Sequence, residues 1–277
     1  MLKQRVITAL LLVAFLLPAL FHHDPMWLAL LAALMVACGT WEWWRLNGAS
    51  EVSARWAGFI SALMIAAWVW SPLQLQDALM LLPVLMLSWG LCWALMLWRG
   101  GPAWSQTPSM LRRGWGIWAL WMTWAALYQF KLIGVNFLLS TLCLVWAADI
   151  GAYFAGRRWG KRKLAPSLSP GKSWEGVVGG VVAVMALAWT WMLWDQMGWV
   201  DSPSLFTQTW YRWGPLAMWS WALLVAASVL GDLFESMVKR VAGVKDSSGL
   251  LPGHGGVLDR IDALLPTLPL VLWVLSW

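Results

Sequence analysis

The chain has 277 residues, of which 61% are hydrophobic and only 12% are charged. Soluble domains carry about twice that charged fraction, and a water-soluble fold could not hide so many apolar side chains. The composition therefore excludes an ordinary soluble domain and indicates a membrane protein. The net charge of +6 does not indicate a nucleic-acid partner, because an excess of Lys and Arg is typical of the cytoplasmic loops of membrane proteins.

Apolar runs along the chain predict the membrane spans, each of which needs about 20 residues to cross the hydrocarbon core. The predicted spans are 6–21, 26–41, 56–70, 78–98, 115–130, 134–155, 174–194, 215–234 and 263–277. The first two are also compatible with a re-entrant hairpin, because residues 22–25 form a tight turn between them. The predicted fold is all-α, a polytopic helical membrane protein with about nine transmembrane helices.

The distribution of positive charge predicts the orientation. With the N-terminus inside, all of the 19 Lys and Arg residues except Lys131 and Arg212 fall on the inner side, as the positive-inside rule requires. We therefore expect a multi-pass protein of a bacterial-type inner (plasma) membrane, with its N-terminus and functional site in the cytoplasm. Because polar residues concentrate after residue 148, residues 1–132 are predicted to form a transmembrane scaffold of about five helices. Residues 133–277 are predicted to form the catalytic region, with about four.

A first polar cluster lies in the sixth predicted span. Asp149 and Tyr153 are four residues apart and share one helical face. Asp149 lies about 12 Å along the helix from Arg157, which places it inside the bilayer near the cytoplasmic end. An ionisable residue at that depth is a functional candidate by default, and a structural ion pair with a neighbouring helix is the alternative.

A second cluster, residues 160–176, is a basic segment rich in hydroxyl groups. A P-loop is rejected because Pro166 stands where that motif needs Gly, and no β-strand is expected before it. Lys172 and its neighbouring Ser173 precede the seventh span, where a helix N-terminus favours an anion. Residues 157–163 fit a lipid-headgroup anchor equally well. Gly176 and Gly180 predict close helix packing.

The third cluster, residues 232–262, contains the most informative pattern. Asp232, Glu235, Ser236 and Lys239 fall on one stripe of a helix. Residues 249–256 include four glycines, which let backbone approach a ligand closely. Carboxylates and cations around such a loop suit a metal-bound polyphosphate, and a hairpin of salt bridges is the alternative. His254 is open to three interpretations: a ligand contact, an acid or base, or an ordinary hydrogen bond at a helix start.

This third cluster resembles the phosphatidate cytidylyltransferases, also called CDP-diacylglycerol synthases. The family pattern is Ser-x-x-Lys-Arg-x4-Lys-Asp, then Pro-x-His-Gly-Gly, then Asp-Arg-x-Asp. It is met by Ser236, Lys239, Arg240, Lys245, Asp246, Pro252, His254, Gly255, Gly256, Asp259, Arg260 and Asp262. The segments around Asp149 and around residues 167–176 are similar to upstream motifs of the family. The resemblance covers about the last 130 residues.

The resemblance implies a reaction in which the phosphate of phosphatidic acid attacks the α-phosphate of CTP, giving CDP-diacylglycerol and pyrophosphate. It implies Mg²⁺ held by Asp232 and Asp259, with Asp149 supporting either a second cation such as K⁺ or the lipid phosphate. The implied catalytic residues are Asp232, Asp259, Lys239, Arg240, Lys245 and Arg260. The implied substrate-binding residues are Asp149, Tyr153, Ser167, Ser169, Lys172, Ser236, Asp246, Gly253, His254, Gly255, Gly256 and Asp262.

The implied partners are CTP, phosphatidic acid, membrane lipids and a second copy of the chain. The nearest rival is another CTP-dependent lipid enzyme, such as a polyprenol kinase, which would move the γ-phosphate instead. A transporter would need charges in several spans and an internal repeat, neither of which the sequence contains. A non-catalytic scaffold that binds anionic lipid through residues 157–163 would not depend on Asp232 or Asp259.

Overall fold

The computed structural model describes residues 2–69 and 80–276, and most of them are helical. The elements are α1 (Leu2–Phe21), α2 (Met26–Leu46), α3 (Glu51–Val69), α4 (Leu82–Arg99), α5 (Gly101–Gln106), α6 (Ser109–Ile133), α7 (Val135–Trp159), β1 (Lys163–Ala165), β2 (Ser169–Ser173), α8 (Trp174–Asp195), α9 (Leu205–Trp213), α10 (Ala217–Val241), α11 (Leu258–Ile261) and α12 (Leu264–Ser276). A 3₁₀ turn, Gly214–Leu216, joins α9 to α10. The all-α prediction is confirmed.

Five helical segments of the described chain are long and apolar enough to cross a membrane: Met26–Leu46, Leu82–Arg99, Val135–Trp159, Trp174–Asp195 and Leu205–Val241. The predicted count of about nine is not confirmed. Helices do occur at the other four predicted spans, in α1, α3, α6 and α12. The predicted boundaries at Trp70, Ala78 and Trp277 lie outside the described residues.

The helices α7 and α8 pack against each other through small residues, as Gly176 and Gly180 predicted. A Cβ at Gly180 would lie 2.8 Å from the Ala148 carbonyl oxygen, and one at Gly176 would lie 2.9 Å from the Ala152 carbonyl oxygen. Only glycine allows these backbones to approach so closely. This contact places the polar end of α7, which carries Asp149, beside the start of α8.

Aromatic packing holds α10 against the N-terminal helices. The ring of Phe234 lies 5.1 Å from Trp104, 5.2 Å from Trp115 and 5.5 Å from Trp89, measured between centroids. Such edge-to-face pairs combine large buried area with favourable ring electrostatics. The neighbouring positions 232, 235, 236 and 239 on α10 are thereby fixed in orientation.

The segment between α7 and α8 departs from the sequence expectation, because it contains β-strands. β1 and β2 pair antiparallel, with Lys163 opposite Ser173 and Ala165 opposite Ser169. The expectation of no strand before Lys172 is therefore wrong. Rejection of the P-loop still holds, because that motif needs a strand leading through a glycine loop into a helix, whereas here the strand β2 itself contains Lys172.

Candidate active site

The helix α10 carries the predicted stripe, and its four residues form two separate contacts. Ser236 Oγ donates to Asp232 Oδ1 at 3.2 Å, one turn away. Lys239 forms an ion pair with Glu235, again one turn away. Because residues four apart face each other on a helix, the sequence pattern was sufficient to predict both contacts.

A salt bridge joins α10 to β2. Lys172 Nζ lies 2.6 Å from Asp232 Oδ2, and it also donates to the Val229 carbonyl oxygen at 3.4 Å. The Ser173 side chain accepts from Gly176 N and so caps the start of α8, as its hydroxyl at a helix start favours. Lys172 is therefore held at the junction of α10, β2 and α8.

A cavity of about 640 Å³ opens at this junction. Its polar lining residues are Asp149, Tyr153, Arg157, Lys163, Ser169, Lys172, Ser173 and Asp232. Residues of the first and second polar clusters thus line the same cavity as Asp232 of the third cluster. Its mixed charge, with three cations and two carboxylates in the lining, suits a phosphate-bearing ligand.

The two residues of the first cluster both face the cavity but differ in their contacts. Asp149 is exposed there. The Tyr153 hydroxyl accepts from Arg157 Nη1 at 3.1 Å. Among the hydroxyls of the second cluster, Ser169 lines the cavity, while Ser167 is an exposed residue of the turn between the strands.

A second polar centre lies around Asp259, at the start of the short helix α11. Its Oδ1 accepts from Lys239 Nζ at 2.6 Å. Its Oδ2 accepts from Ser247 N at 2.9 Å, Ser247 Oγ at 2.9 Å and Gly256 N at 2.7 Å. Burial alone would raise the pKa of Asp259, but the bond from Lys239 and those from the backbone N–H groups hold it below its ordinary value.

The glycine loop, residues 249–256, folds back on itself beside Asp259. Leu251 N donates to the Gly255 carbonyl oxygen at 2.8 Å, and Gly255 has a φ of 84°. A Cβ at Gly255 would lie 2.7 Å from Asp259 Oδ2. His254 lies in this turn, and its buried Nδ1 has no hydrogen-bond partner among the described residues. The three interpretations of His254 stay predictions.

Asp262 follows α11 and lies close to the other acids. Burial raises its pKa to about 7, and the negative charge of Asp232 adds to the rise. Its Oδ1 accepts from Ala263 N at 2.8 Å. Asp262 therefore holds its proton more readily than an ordinary aspartate does.

Four charged site residues that do not line the cavity are exposed at the surface. They are Arg240, Lys245, Asp246 and Arg260, and Arg240 Nη1 donates to the Val244 carbonyl oxygen at 3.3 Å. They lie at the end of α10, in the following loop and in α11. Their predicted role at the phosphates stays a prediction.

The two predicted metal ligands differ in exposure rather than in how free their oxygens are. Both oxygens of Asp259 accept from protein donors, and those of Asp232 contact Ser236 and Lys172. The Asp232 side chain is 34% exposed and lines the cavity, whereas that of Asp259 is 6% exposed, so Asp232 is the more accessible of the two to a cation. The described residues contain no group of three or more acidic, His or Cys side chains arranged for a metal. The Mg²⁺ site at Asp232 and Asp259 stays a prediction.

One buried carboxylate of the site was missed by the sequence reasoning. Glu42, on α2, accepts from Val257 N at 2.9 Å and Leu258 N at 2.7 Å. The predicted second span ends at residue 41, whereas α2 continues to Leu46 and so includes Glu42. The signal was present, because a carboxylate flanked by Trp41 and Trp43 at a span end is costly unless it has partners.

Comparison with known proteins identifies the family of the chain. A sequence model of the cytidylyltransferase family matches residues 3–277. The phosphatidate cytidylyltransferase of Pseudomonas aeruginosa is 40% identical over 282 residues, which cover 100% of this chain and 99% of that protein. The enzyme of the same name from Haemophilus influenzae is 39% identical over 97% of this chain and 96% of its own length.

A more distant relative matches only one part of the chain. The phosphatidate cytidylyltransferase of Bacillus subtilis is 38% identical over 143 residues, 52% of this chain and 48% of that protein. The family match and the two full-length relatives, in contrast, extend through the N-terminal helices as well. This chain belongs to the cytidylyltransferase family.

Proposed function

We propose that this chain is a phosphatidate cytidylyltransferase. The observation that carries the proposal is the cavity that unites Asp149, Lys172 and Asp232 at the ends of apolar helices, in a chain similar over its full length to enzymes of that name. A lipid substrate explains why the cavity is built on helices long enough to span a membrane.

In the proposed reaction, a phosphate oxygen of phosphatidic acid forms a bond to the α-phosphorus of CTP. The bond from that phosphorus to the oxygen bridging to the β-phosphate breaks, and pyrophosphate leaves with its electrons. The nucleophile is already anionic, so no strong general base is needed. Catalysis then depends on positioning and on neutralising phosphate charge.

The residues divide this work by location. Lys172, Lys163 and Arg157 bring positive charge into the cavity. Lys239 is held between two carboxylates, which orients its ammonium group toward the glycine loop. We propose that the outer phosphates of CTP bind Arg240, Lys245 and Arg260, because these three cations are exposed near the loop.

A divalent cation is part of the proposal. Asp232 would hold Mg²⁺ together with substrate phosphate and water, since Mg²⁺ takes one or two carboxylates. To bind the ion, Asp232 would give up part of its contact with Lys172 or Ser236, and Asp259 would join by releasing some of its own protein donors. When bound, the ion supplies charge neutralisation at the phosphates. A second cation such as K⁺ is proposed near Asp149, which is exposed in the cavity.

The proposal also covers location and assembly. CTP is a cytoplasmic nucleotide, and the positive-inside distribution of charge favours an inner-membrane protein with N-terminus and cavity in the cytoplasm. A homodimer is proposed by analogy with the family. Mass measurement of the purified protein in detergent tests the dimer, and a monomeric active enzyme would contradict it.

The deciding experiment uses CTP labelled either at the α- or at the γ-phosphate, with purified protein and phosphatidic acid in mixed micelles. Transfer of the α-label into the lipid phase, with the γ-label released as pyrophosphate, is the expected result. Transfer of the γ-label to a lipid alcohol, with no α-label in lipid, would replace the proposal by a CTP-dependent lipid kinase such as a polyprenol kinase.

A further inference from the structure

Glu42 connects the N-terminal helices to the glycine loop. It lies about one turn before the end of α2 and is fully buried. Its Oε1 accepts from Val257 N at 2.9 Å and from Ser248 Oγ at 2.5 Å. Its Oε2 accepts from Leu258 N at 2.7 Å and from Ser247 Oγ at 3.2 Å. Each oxygen thus binds one residue before the loop and one residue after it.

The chemistry of these contacts shows what Glu42 is built to do. A buried carboxylate is costly unless hydrogen bonds replace its hydration, and the salt bridges of the described chain do not include Glu42. Its charge is balanced instead by donors at the two ends of the loop: Val257 N, Leu258 N and Ser248 Oγ. The single hydrogen of the Ser247 hydroxyl is shared between Glu42 and Asp259. Hydrogen bonds to an ionised acceptor are about twice as strong as neutral ones, so the ends of the loop are held firmly together.

This contact extends to the helix α10. Ser247, which donates to Glu42, also donates through its backbone N to Asp259. Asp259 in turn accepts from Lys239. A continuous set of hydrogen bonds therefore runs from α2 through the loop to the ammonium group of Lys239.

The fit at Glu42 also accounts for one glycine of the loop. A Cβ at Gly256 would collide with Glu42 Oε1 and with Ser247 Oγ. Gly256 has an ordinary φ, so this glycine is needed for the close approach rather than for backbone conformation.

We infer that Glu42 is a positioning residue of the active site, which holds the glycine loop and its His254 in place for the reacting phosphates. The inference rests on the proposed function for its kinetic consequences. It also means that residues 1–132 take part in forming the site rather than serving only as a scaffold.

The substitution Glu42→Gln tests this inference with little change of shape. Both carboxylate oxygens accept from a backbone N–H, so either orientation of the amide places its NH₂ group against a donor. We expect kcat/KM for CTP to fall by about 10- to 100-fold, with a larger change in KM for CTP than for phosphatidic acid. Glu42→Asp keeps both acceptor oxygens on a shorter side chain, and its activity should lie between that of the wild type and that of Glu42→Gln.

Hydrogen–deuterium exchange provides a readout independent of turnover. In Glu42→Gln, amides of residues 246–258 should exchange faster, while those of α7 and α8 stay as in the wild type. The matched control is Thr40→Val, because Thr40 is also buried on α2 but bonds Ser61 of α3 at 3.4 Å. This control should leave loop exchange and both KM values near the wild type.

Several outcomes would overturn the inference. The inference is overturned if Glu42→Gln has wild-type kinetics and wild-type exchange in the loop. It is also overturned if Glu42→Gln and Thr40→Val change kinetics and loop exchange equally. If Glu42→Gln does not fold, Glu42→Asp and Ser248→Ala decide, and unchanged loop exchange in both refutes the role. If the wild type itself moves no α-label into lipid, the proposed function fails, while the exchange data still test whether Glu42 holds the loop.

Discussion

The salt bridge between Lys172 and Asp232 offers a test that separates stability from catalysis. In Lys172→Met the side chain keeps its length but loses the charge that lies 2.6 Å from Asp232 Oδ2. The two side chains are 22% and 34% exposed. An exposed pair contributes up to about 1 kcal/mol, and breaking a buried pair costs about 3–5 kcal/mol. Since about a third of the Asp232 side chain is exposed, we expect a loss of about 1 kcal/mol.

The effect on turnover should be much larger than the effect on stability. Removing one preorganised donor from developing charge typically lowers kcat by about 10²–10³. A stability loss of about 1 kcal/mol, in contrast, shifts the thermal midpoint by only about 2–4 °C in a chain of this size. Lys172→Met should therefore be folded and nearly inactive.

The assay combines transfer of α-label from CTP into lipid with thermal unfolding followed by Trp fluorescence. Lys161→Met is the matched control, since Lys161 is an exposed lysine of the same inter-helix segment and is not among the cavity-lining residues. Its activity should stay near the wild type. The reasoning fails if Lys172→Met keeps more than about a tenth of wild-type turnover, or if Lys161→Met loses as much.

Three further predictions concern the two polar centres. Asp232→Asn should abolish turnover while the protein stays folded. Chelation of divalent cations should abolish wild-type turnover until Mg²⁺ is restored. Activity that survives full chelation would refute the metal assignment. Lys239→Met leaves two buried carboxylates without their cation, at a cost of about 3–5 kcal/mol. Its thermal midpoint should fall clearly, while that of the exposed control Arg240→Met should barely move. Equal thermal midpoints in the two variants would contradict the buried network. Gly256→Ala places a methyl group against two side-chain oxygens and should cost about 1–3 kcal/mol of stability and most of the turnover. The control Gly249→Ala, whose new methyl group meets nothing within 4 Å, should be tolerated. Loss of turnover in both variants would indicate a need for backbone flexibility instead of close packing.

Local periodicity explains what was predictable about the site. The stripe of Asp232, Ser236 and Lys239 follows from the helical repeat alone, because residues four apart must face each other. The close packing of α8 against another helix follows from Gly176 and Gly180 in the same way, although the partner helix does not. Neither prediction needed any knowledge of which helices are neighbours.

Distances between separate segments were not predictable in this way. Asp259 was expected as a metal ligand, yet both of its oxygens accept from Lys239, Ser247 and Gly256. The strands β1 and β2 were missed because they are short and depend on pairing with each other. A basic, hydroxyl-rich segment carries no alternation that would predict such a pair.

Composition and helical period are properties of neighbouring residues, and they were sufficient to predict a helical, apolar chain with three polar clusters after residue 148. The contact of Lys172 with Asp232 and the hydrogen bonds by which Glu42 of α2 holds the glycine loop became evident only from the folded chain. Lys172 and Asp232 are 60 residues apart in the chain, and Glu42 is more than 200 residues from its partners. Such contacts arise from the packing of helices against one another, which no local pattern records.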